Sequence, residues 1–325
     1  MKYRIFLILS MSAMLLAGCN QSALRPAGGD KYFLTTNFEE GKTFRYKFVS
    51  TRDIVVRYED NKSKSKADKM SQQYREFLEM IVSYTPVKVD PYGDATIKAV
   101  CESVKASRSG ERNRETEAIE FFEGKEFTFK VDPVGRITDD DQMRKLVKQA
   151  GKKPFIGGEK RIKTPDMIDD FIVTQWTLWN SINSVKNPLA GLRKGQSWDS
   201  QILLAGPMVM RKARKVTYTF DSVSSSNKGR VATIKSEFEP AESVSKHWTV
   251  PYKGSFQMKG TFGFLRAYKL ESLTGEGTEI FNIDKGLVQT RTHNYTARFG
   301  ASLLFPLGGS SPSVTIDQHY TMELL

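Results

Sequence analysis

The fold is decided by an alternating stretch at residues 44–58, which reads FRYKFVSTRDIVVRY. Apolar side chains recur at every second position, at Phe44, Tyr46, Phe48, Ile54, Val56 and Tyr58. A period of two turns one face of the chain to a core and the other to solvent, which is typical of half-buried antiparallel strands. This stretch therefore predicts a mainly β protein.

Similar stretches recur on both sides of a central polar region. They predict strands at 72–89, 96–101, 127–131, 216–220, 231–238, 254–273, 279–284, 287–299 and 314–324. Turn residues separate the early strands at Asp90–Asp94 and Asp132–Gly135. Ile97, Ala99 and Cys101 share one strand face, so we expect a buried and inert thiol at Cys101; a reactive nucleophile is the alternative.

The central region, residues 139–193, predicts a helical connection. Asp139, Asp140 and Asp141 precede an amphipathic stretch that carries lysines towards its end, an order that suits a helix dipole. Residues 164–166 then read as a helix start. Apolar and polar side chains follow at helical spacing, at Ile168, Phe171, Ile172, Gln175, Trp179 and Ile182. We expect this second helix over about residues 165–184, with its apolar face in the core.

Three short motifs of the first β region recur in the same order in the second. The matched pairs are 41–44 with 195–198, 93–98 with 229–235, and 131–137 with 283–288. The repeats predict an α+β, mainly β fold with two related antiparallel β units, as curved sheets or half-barrels, linked by the two helices. The β units are expected at 38–138 and 194–325, with the helical connection at 139–193 between them.

The N-terminus carries the pattern of an export signal. Lys2 and Arg4 precede an apolar run that is too short and wrongly flanked for a spanning helix. The run closes with Leu16-Ala17-Gly18-Cys19, which resembles the lipobox of bacterial lipoproteins. The resemblance implies a diacylglyceryl group on Cys19, cleavage before it and acylation of the freed amine. It therefore implies a signal peptide at 1–18 and a lipidated N-terminus with a flexible tether at 19–37. An ordinary secretory signal that ends near a cysteine is the alternative.

The same resemblance bears on location. In lipoproteins of diderm bacteria, an aspartate after the acylated cysteine resembles an inner-membrane retention signal, whereas this chain has Asn20. The expected place is therefore the cell envelope, on the outer membrane and facing the periplasm. Residues 20–31 predict a tether, which at about 3.3–3.6 Å per residue reaches at most roughly 40 Å.

The formal charge of +12 raises the question of an anionic partner. Export excludes nucleic acid as the usual one, so anionic lipids or wall polymers are the expected alternatives. Two basic clusters stand out, Lys62, Lys64, Lys66 and Lys69, and Arg211, Lys212, Arg214 and Lys215. We interpret both as solvated charge at hairpin tips or strand ends, with a contact to an anionic partner as the alternative.

Motifs that carry chemistry are sparse. His247, His293 and His319 show no zinc-ligand spacing and are expected on the surface or on sheet faces, although His293 and His319 could meet across a sheet. The run Asp139–Asp141 lacks the spacing of a calcium loop, so helix capping is the better explanation. No phosphate loop or nucleophile elbow is present. The sequence therefore predicts no metal, no cofactor and no catalytic residue.

The body resembles an uncharacterised family of duplicated, β-rich envelope lipoproteins, which carries no assigned activity. It also resembles periplasmic lipoprotein carriers, whose incomplete barrels hold acyl chains. We therefore predict a non-enzymatic binding or scaffold lipoprotein, whose partner is an apolar ligand or another envelope protein. Trp176, Trp179, Phe262 and Phe264 are the candidate lining residues, with plain core packing as the alternative. An envelope hydrolase with unpaired carboxylates is the rival class.

Overall fold

The computed structural model describes residues 30–59, 71–109, 118–152, 167–205, 212–226, 229–244, 265–303 and 311–325, and every structural statement below concerns these residues. The strands are β1 (Phe44–Glu59), β2 (Gln72–Val89), β3 (Ala95–Ser109), β4 (Glu126–Val131), β5 (Ile137–Asp139), β6 (Ser197–Leu203), β7 (Ala213–Ser226), β8 (Gly229–Pro240), β9 (Leu265–Asn282), β10 (Leu287–Leu303) and β11 (Ser311–Leu324). The α-helices are α1 (Asp141–Lys152), α2 (Ile168–Trp176) and α3 (Asn180–Asn183), and short 3-10 helices lie at Ala118–Phe122 and Pro188–Ala190.

The described strands form one antiparallel sheet in the order β5-β4-β3-β2-β1-β11-β10-β9-β8-β7-β6. The first and last strands pair along almost their whole length, from Tyr46 opposite Leu324 to Glu59 opposite Ser311. This pairing joins the strands before the helices to the strands after them. The mainly β prediction is thus confirmed, whereas two separate sheets are not seen among the described strands.

Burial alternates along β1 as the sequence pattern predicts. Tyr46, Phe48, Ile54 and Val56 are at most 3% exposed, Ser50 and Arg52 share their alternation, and the intervening odd-numbered residues face the other way. We call the face that carries these side chains the inner face, because α2 and α3 pack against it. The opposite face, which carries charged pairs such as Arg75–Asp53, is the outer face.

The second predicted helix is present but broken. Its expected start at residues 165–166 lies outside the described residues, α2 ends at Trp176, and α3 begins at Asn180. The carbonyls of Thr177 and Leu178 accept hydrogen bonds at 2.8 Å from Arg291 of β10. These backbone groups are therefore bonded to the sheet at the point where a continuous helix was expected.

The predicted first helix begins at the acidic run, as expected. Asp139 accepts a hydrogen bond from the backbone N–H of Asp141 at 3.3 Å, and Asp140 pairs with Arg144 one turn later. Asp140 also accepts a bond from the indole of Trp176 at 2.7 Å. The run therefore begins α1 and connects it to α2.

The end of the predicted tether packs against the body. Tyr32 forms a backbone bridge with Leu192, and the buried Thr36 bonds the carbonyl of Pro133 through its own N–H at 2.8 Å. Leu34 and Phe38 are also buried. Residues 32–37 thus belong to the packed body. Within the described residues, no helix combines the length and apolar character needed to cross a membrane.

Candidate binding site on the inner face

Three arginines lie on the inner face, within the core. Arg52 of β1, Arg214 of β7 and Arg291 of β10 are 1%, 3% and 1% exposed. Moving a guanidinium out of water costs several kcal/mol unless a partner compensates it. The partners of each arginine therefore decide whether the charge is structural or available.

Arg52 is compensated by carboxylates. Its Nε donates to Glu76 of β2 at 2.7 Å, and its Nη1 lies 2.9 Å from Asp170 of α2. Arg108 also pairs with Glu76. Burial opposes ionisation of Glu76, but the two arginines outweigh it and hold its pKa below the usual value. Burial raises the pKa of Asp170, and Arg52 offsets this only in part.

Arg291 is compensated as well. Its Nε donates to Glu279 of β9 at 2.6 Å, and its remaining nitrogens bond the carbonyls at the break between α2 and α3. Ser181 of α3 donates to the same carboxylate. This cluster therefore fixes the helical layer to the sheet.

Arg214 has no carboxylate partner among the described residues. Its Nη2 lies 3.2 Å from Nδ1 of His293, and its guanidinium stacks on Phe238 and Tyr295 at 4.5 and 4.6 Å from the ring centroids. Its Nε and Nη1 have no hydrogen-bond partner within the described part of the chain. Burial lowers the pKa of Arg214. A buried cation with free donors is thus present on the inner face.

His293 adds no negative charge to this cluster. Burial, followed by the nearby Arg214 and Arg291, lowers its pKa well below the usual value. The imidazole is therefore neutral at physiological pH, and its Nδ1 can accept from Arg214. Aromatic rings surround it, with Phe238 at 4.9 Å and Tyr320 at 5.7 Å between centroids.

Two glycines leave space for the arginine. Gly277 lies opposite His293 and Ser236, and Gly275 lies opposite Tyr295 and Phe238. A Cβ on Gly277 would lie 2.5 Å from the carbonyl oxygen of Thr292 and 2.6 Å from the ring of His293. Because β9 has only glycine at the inward positions here, Arg214 can reach from β7 past β8 and β9 to His293 of β10.

An apolar part of the buried core adjoins this cluster. It comprises seven side chains on four neighbouring strands, which we call the apolar patch: Ile54, Val56, Leu273, Ala297, Phe299, Val314 and Ile316. All seven are at most 3% exposed. Tyr295, on which Arg214 stacks, precedes Ala297 by two residues and therefore lies in the next inward position of β10.

The outer face carries a different depression, of about 340 Å³. Several of its polar lining residues bond to each other or to exposed neighbours: Thr296 donates to Asp317 at 2.6 Å, His319 contacts Asn294, and Asp53 pairs with Arg75. The charged groups in this lining therefore already have partners.

Two sequence interpretations need correction. Arg214 does not carry solvated charge, because it shares the inward phase of Val216, Tyr218 and Phe220 in β7. His293 and His319 do not meet across the sheet, since neighbouring positions of β10 and β11 place them on opposite faces: His293 lies opposite Tyr320, and His319 lies opposite Asn294. His293 lies on a sheet face, as one of the two predicted positions, but it is buried there.

The predicted site residues have different positions. Trp179 is buried and contacts the rings of Phe38 and Phe129, whereas Trp176 is half-buried and bonds Asp140. Their ligand-lining role stays a prediction. Phe262, Phe264, His247, Cys19, Arg211 and the cluster Lys62–Lys69 lie outside the described residues. Cys101 is buried, and burial raises the pKa of its thiol to about 12.

Sequence reasoning missed Arg214, His293 and the apolar patch as a combined feature. The sequence did contain an indication of it: at Arg214 and at Arg52, a charged residue occupies one of the alternate positions that otherwise carry apolar side chains. Within the described residues, no group of three or more His, Cys, Asp or Glu side chains could hold a metal ion.

Comparison with known proteins adds little. No family model matches the chain, and no curated protein matches it. A solved structure described as lipid–protein interactions in lipovitellin aligns with 89% of this chain, at 11% identity and a TM-score of 0.40. The aligned region covers 25% of that chain, so this protein spans about a quarter of its length. At this level of similarity no functional argument follows, and the proposals below rest on the chain's own residues.

Proposed function

We propose that this protein is a lipid-anchored envelope protein without catalytic activity, which holds an apolar ligand against the inner face of its sheet. The observation that supports it is the apolar patch beside the buried cluster of Arg214. Ile54, Ile316, Ala297 and Leu273 lie in register across four strands, so at about 4.8 Å per strand the patch is roughly 14 Å wide. Ligand pockets are typically apolar, with few polar groups that orient the ligand.

The helical layer leaves this part of the inner face to other contacts. The polar contacts of α2 and α3 with the sheet include those with Ser50 and Arg52 of β1, Tyr84 of β2, Tyr218 of β7 and Glu279 of β9, and Arg291 of β10 bonds the break between the helices. In β1 these contacts end at Arg52, one inward position before Ile54. Since the patch is at most 3% exposed, other parts of the chain cover it in this structure, and a ligand would take the place of that cover while the bonds of α2 and α3 stay intact.

Lipid retained on purification tests the binding role. The full chain would be extracted from membranes in mild detergent, and the non-covalently bound lipid would be identified by mass spectrometry. We expect lipid in the wild type and less in Ala297→Phe, which fills the centre of the patch. Val55→Phe, on the outer face of β1, is the matched control. A folded wild-type protein that carries no lipid would contradict the binding role.

The anchor is proposed from the sequence alone. Cys19 follows Leu16-Ala17-Gly18 in the lipobox-like tetrapeptide, and Asn20 favours the outer membrane by the resemblance stated above. Cys19→Ser should abolish acylation and move the body from the membrane to the soluble fraction. Sedimentation that still requires detergent for release would contradict a lipid anchor.

We also propose that the two β regions arose by duplication. The repeated motifs place glycines with positive φ at matching turns: Gly41 and Gly195 at 78° and 81°, Gly93 and Gly229 at 89° and 105°, and Gly135 and Gly286 at 79° and 64°. The sheet order is also consistent, because strands β6–β11 are followed across the sheet by β1–β5 in ascending order.

A further inference from the structure

We propose that Arg214 receives the anionic head group of the ligand, a carboxylate or phosphate on an acyl chain that lies against the apolar patch. This inference rests on the proposed function, because the patch supplies the place for the chain. It adds the chemical class of the ligand, which is an amphiphile with one anionic head group.

The first argument is charge. Arg52 and Arg291 have the carboxylates of Glu76, Asp170 and Glu279 as partners, whereas Arg214 has a neutral imidazole. The other titratable side chains that act on it are Arg291, which pairs with Glu279, and three tyrosines. The phenols of Tyr218, Tyr295 and Tyr320 have pKa values that are raised mainly by burial. They are neutral at physiological pH, so the Arg214 cluster keeps a positive charge.

The second argument is hydrogen bonding. The stacking of Arg214 on Phe238 and Tyr295 satisfies the faces of the guanidinium and leaves its edge to donate. Nε and Nη1 are buried donors without a partner in the described part of the chain. Buried polar groups are almost always bonded, and guanidinium bonds to carboxylate or phosphate oxygens are among the strongest in proteins.

The third argument comes from the strand that carries Arg214. Residues 212–220, which lead into β7 and form its first half, contain no Asp or Glu. This part of β7 therefore offers no carboxylate for Arg214.

The fourth argument is position. The guanidinium lies 4.6 Å from the ring of Tyr295, and Ala297 of the apolar patch is the next inward residue of the same strand. A head group bonded to Arg214 would therefore have its chain directed onto the patch from a neighbouring position. Since Arg214 is 3% exposed, the ion pair would be shielded from water, where charged hydrogen bonds are stronger.

A matched series of amphiphiles tests this inference. Hexadecanoate, hexadecyl phosphate and hexadecanol share one chain length and differ in the head group. Their binding to the delipidated full chain would be measured by calorimetry for the wild type, Arg214→Gln, Arg214→Lys and Arg230→Gln. The last variant removes an exposed arginine of β8 that pairs with Asp284 and serves as the control for charge.

We expect the wild type to bind at least one anionic amphiphile about ten- to a hundredfold more tightly than hexadecanol, the range of a charged hydrogen bond. Arg214→Gln should remove this preference, so that the anions bind no more tightly than hexadecanol. Arg214→Lys should keep part of the preference, and Arg230→Gln should match the wild type. The tighter of the two anions identifies the head group as carboxylate or phosphate.

The outcomes separate this inference from the proposed function. Equal binding of hexadecanol and the anions by the wild type, or an anionic preference that survives in Arg214→Gln, would overturn the role of Arg214 and leave the apolar site intact. Failure of all three amphiphiles to bind would overturn both. Should Arg214→Gln not fold, the wild-type preference and the Arg214→Lys variant decide the question in the same way.

Discussion

Arg52 and Arg214 lie on the same face of one sheet and are almost equally buried, yet their surroundings differ. Arg52 is bonded to Glu76 and Asp170, and a second arginine shares the first of these carboxylates. Arg214 has two aromatic faces, one neutral histidine and two free donors. The charges of the first cluster are paired within the protein, so that cluster is structural, whereas the charge of Arg214 is paired only when an anion is added.

The largest effect on the free energy of unfolding is expected from disrupting the cluster of Arg52. Glu76→Gln removes the carboxylate that Arg52 and Arg108 share, and breaking a buried pair in this way costs about 3–5 kcal/mol. Urea unfolding of the variant would measure the loss. Glu79→Gln in the same strand is the control, because Glu79 pairs with the more exposed Lys47 and Lys105, and such pairs contribute at most about 1 kcal/mol. Equal losses in both variants would contradict a special role for the buried cluster.

Filling the space beside Arg214 should cause the next largest loss in the free energy of unfolding. A Cβ on Gly277 would meet backbone and ring atoms at 2.5–2.6 Å, so Gly277→Ala should lower the free energy of unfolding by about 1–3 kcal/mol. In Gly300→Ala the new methyl would meet only the end of the exposed Glu271 side chain, and the change should stay within about 0.5 kcal/mol. Thermal and urea unfolding would compare the two.

The pH dependence of stability tests the neutral state of His293. Its pKa is depressed in the folded protein, so below about pH 6.5 the unfolded state binds a proton that the folded state excludes. Stability present above that pH should therefore fall by up to about 1.4 kcal/mol per pH unit as the pH decreases towards the folded-state pKa. His293→Gln should reduce this slope in urea unfolding, with His319→Gln on the outer face as the control. An unchanged slope would mean that His293 is charged in the folded protein.

The smallest change is expected at Arg214. In ligand-free protein, Arg214→Met loses the stacking on Phe238 and Tyr295 but removes an uncompensated buried charge, so the free energy of unfolding should stay within about 1 kcal/mol of the wild type. Arg52→Met leaves the buried Asp170 without a cation and Glu76 with Arg108 alone, so it should cost about 3–5 kcal/mol. Comparable losses in these two variants would show that Arg214 is also compensated within the protein.

The strands were predictable because their burial follows a local period. β2 begins and ends where the alternating pattern predicts, and α1 begins at the acidic run. The inward phase of Arg214 was also readable, since it precedes Val216, Tyr218 and Phe220 at intervals of two. Its position beside Arg211, Lys212 and Lys215 favoured the interpretation of an exposed basic cluster, which the structure corrects.

The partners were not predictable in this way. Arg52 meets Glu76, 24 positions away, and Asp170, 118 positions away, whereas Arg214 meets His293, 79 positions away. Such contacts depend on which strands are neighbours and on their register. A shift of one residue would move every inward side chain to the opposite face.

Local periodicity in the residue order specifies the β character of this chain, the turns at its glycines and the inward phase of its buried arginines, because each depends on neighbours within a few residues. The pairing of β1 with β11, the break between α2 and α3 at Arg291, and the contrast between a compensated Arg52 and an uncompensated Arg214 arise from contacts between distant segments. These contacts form only when the sheet assembles, because the free energy of a buried charge depends on all the groups that surround it.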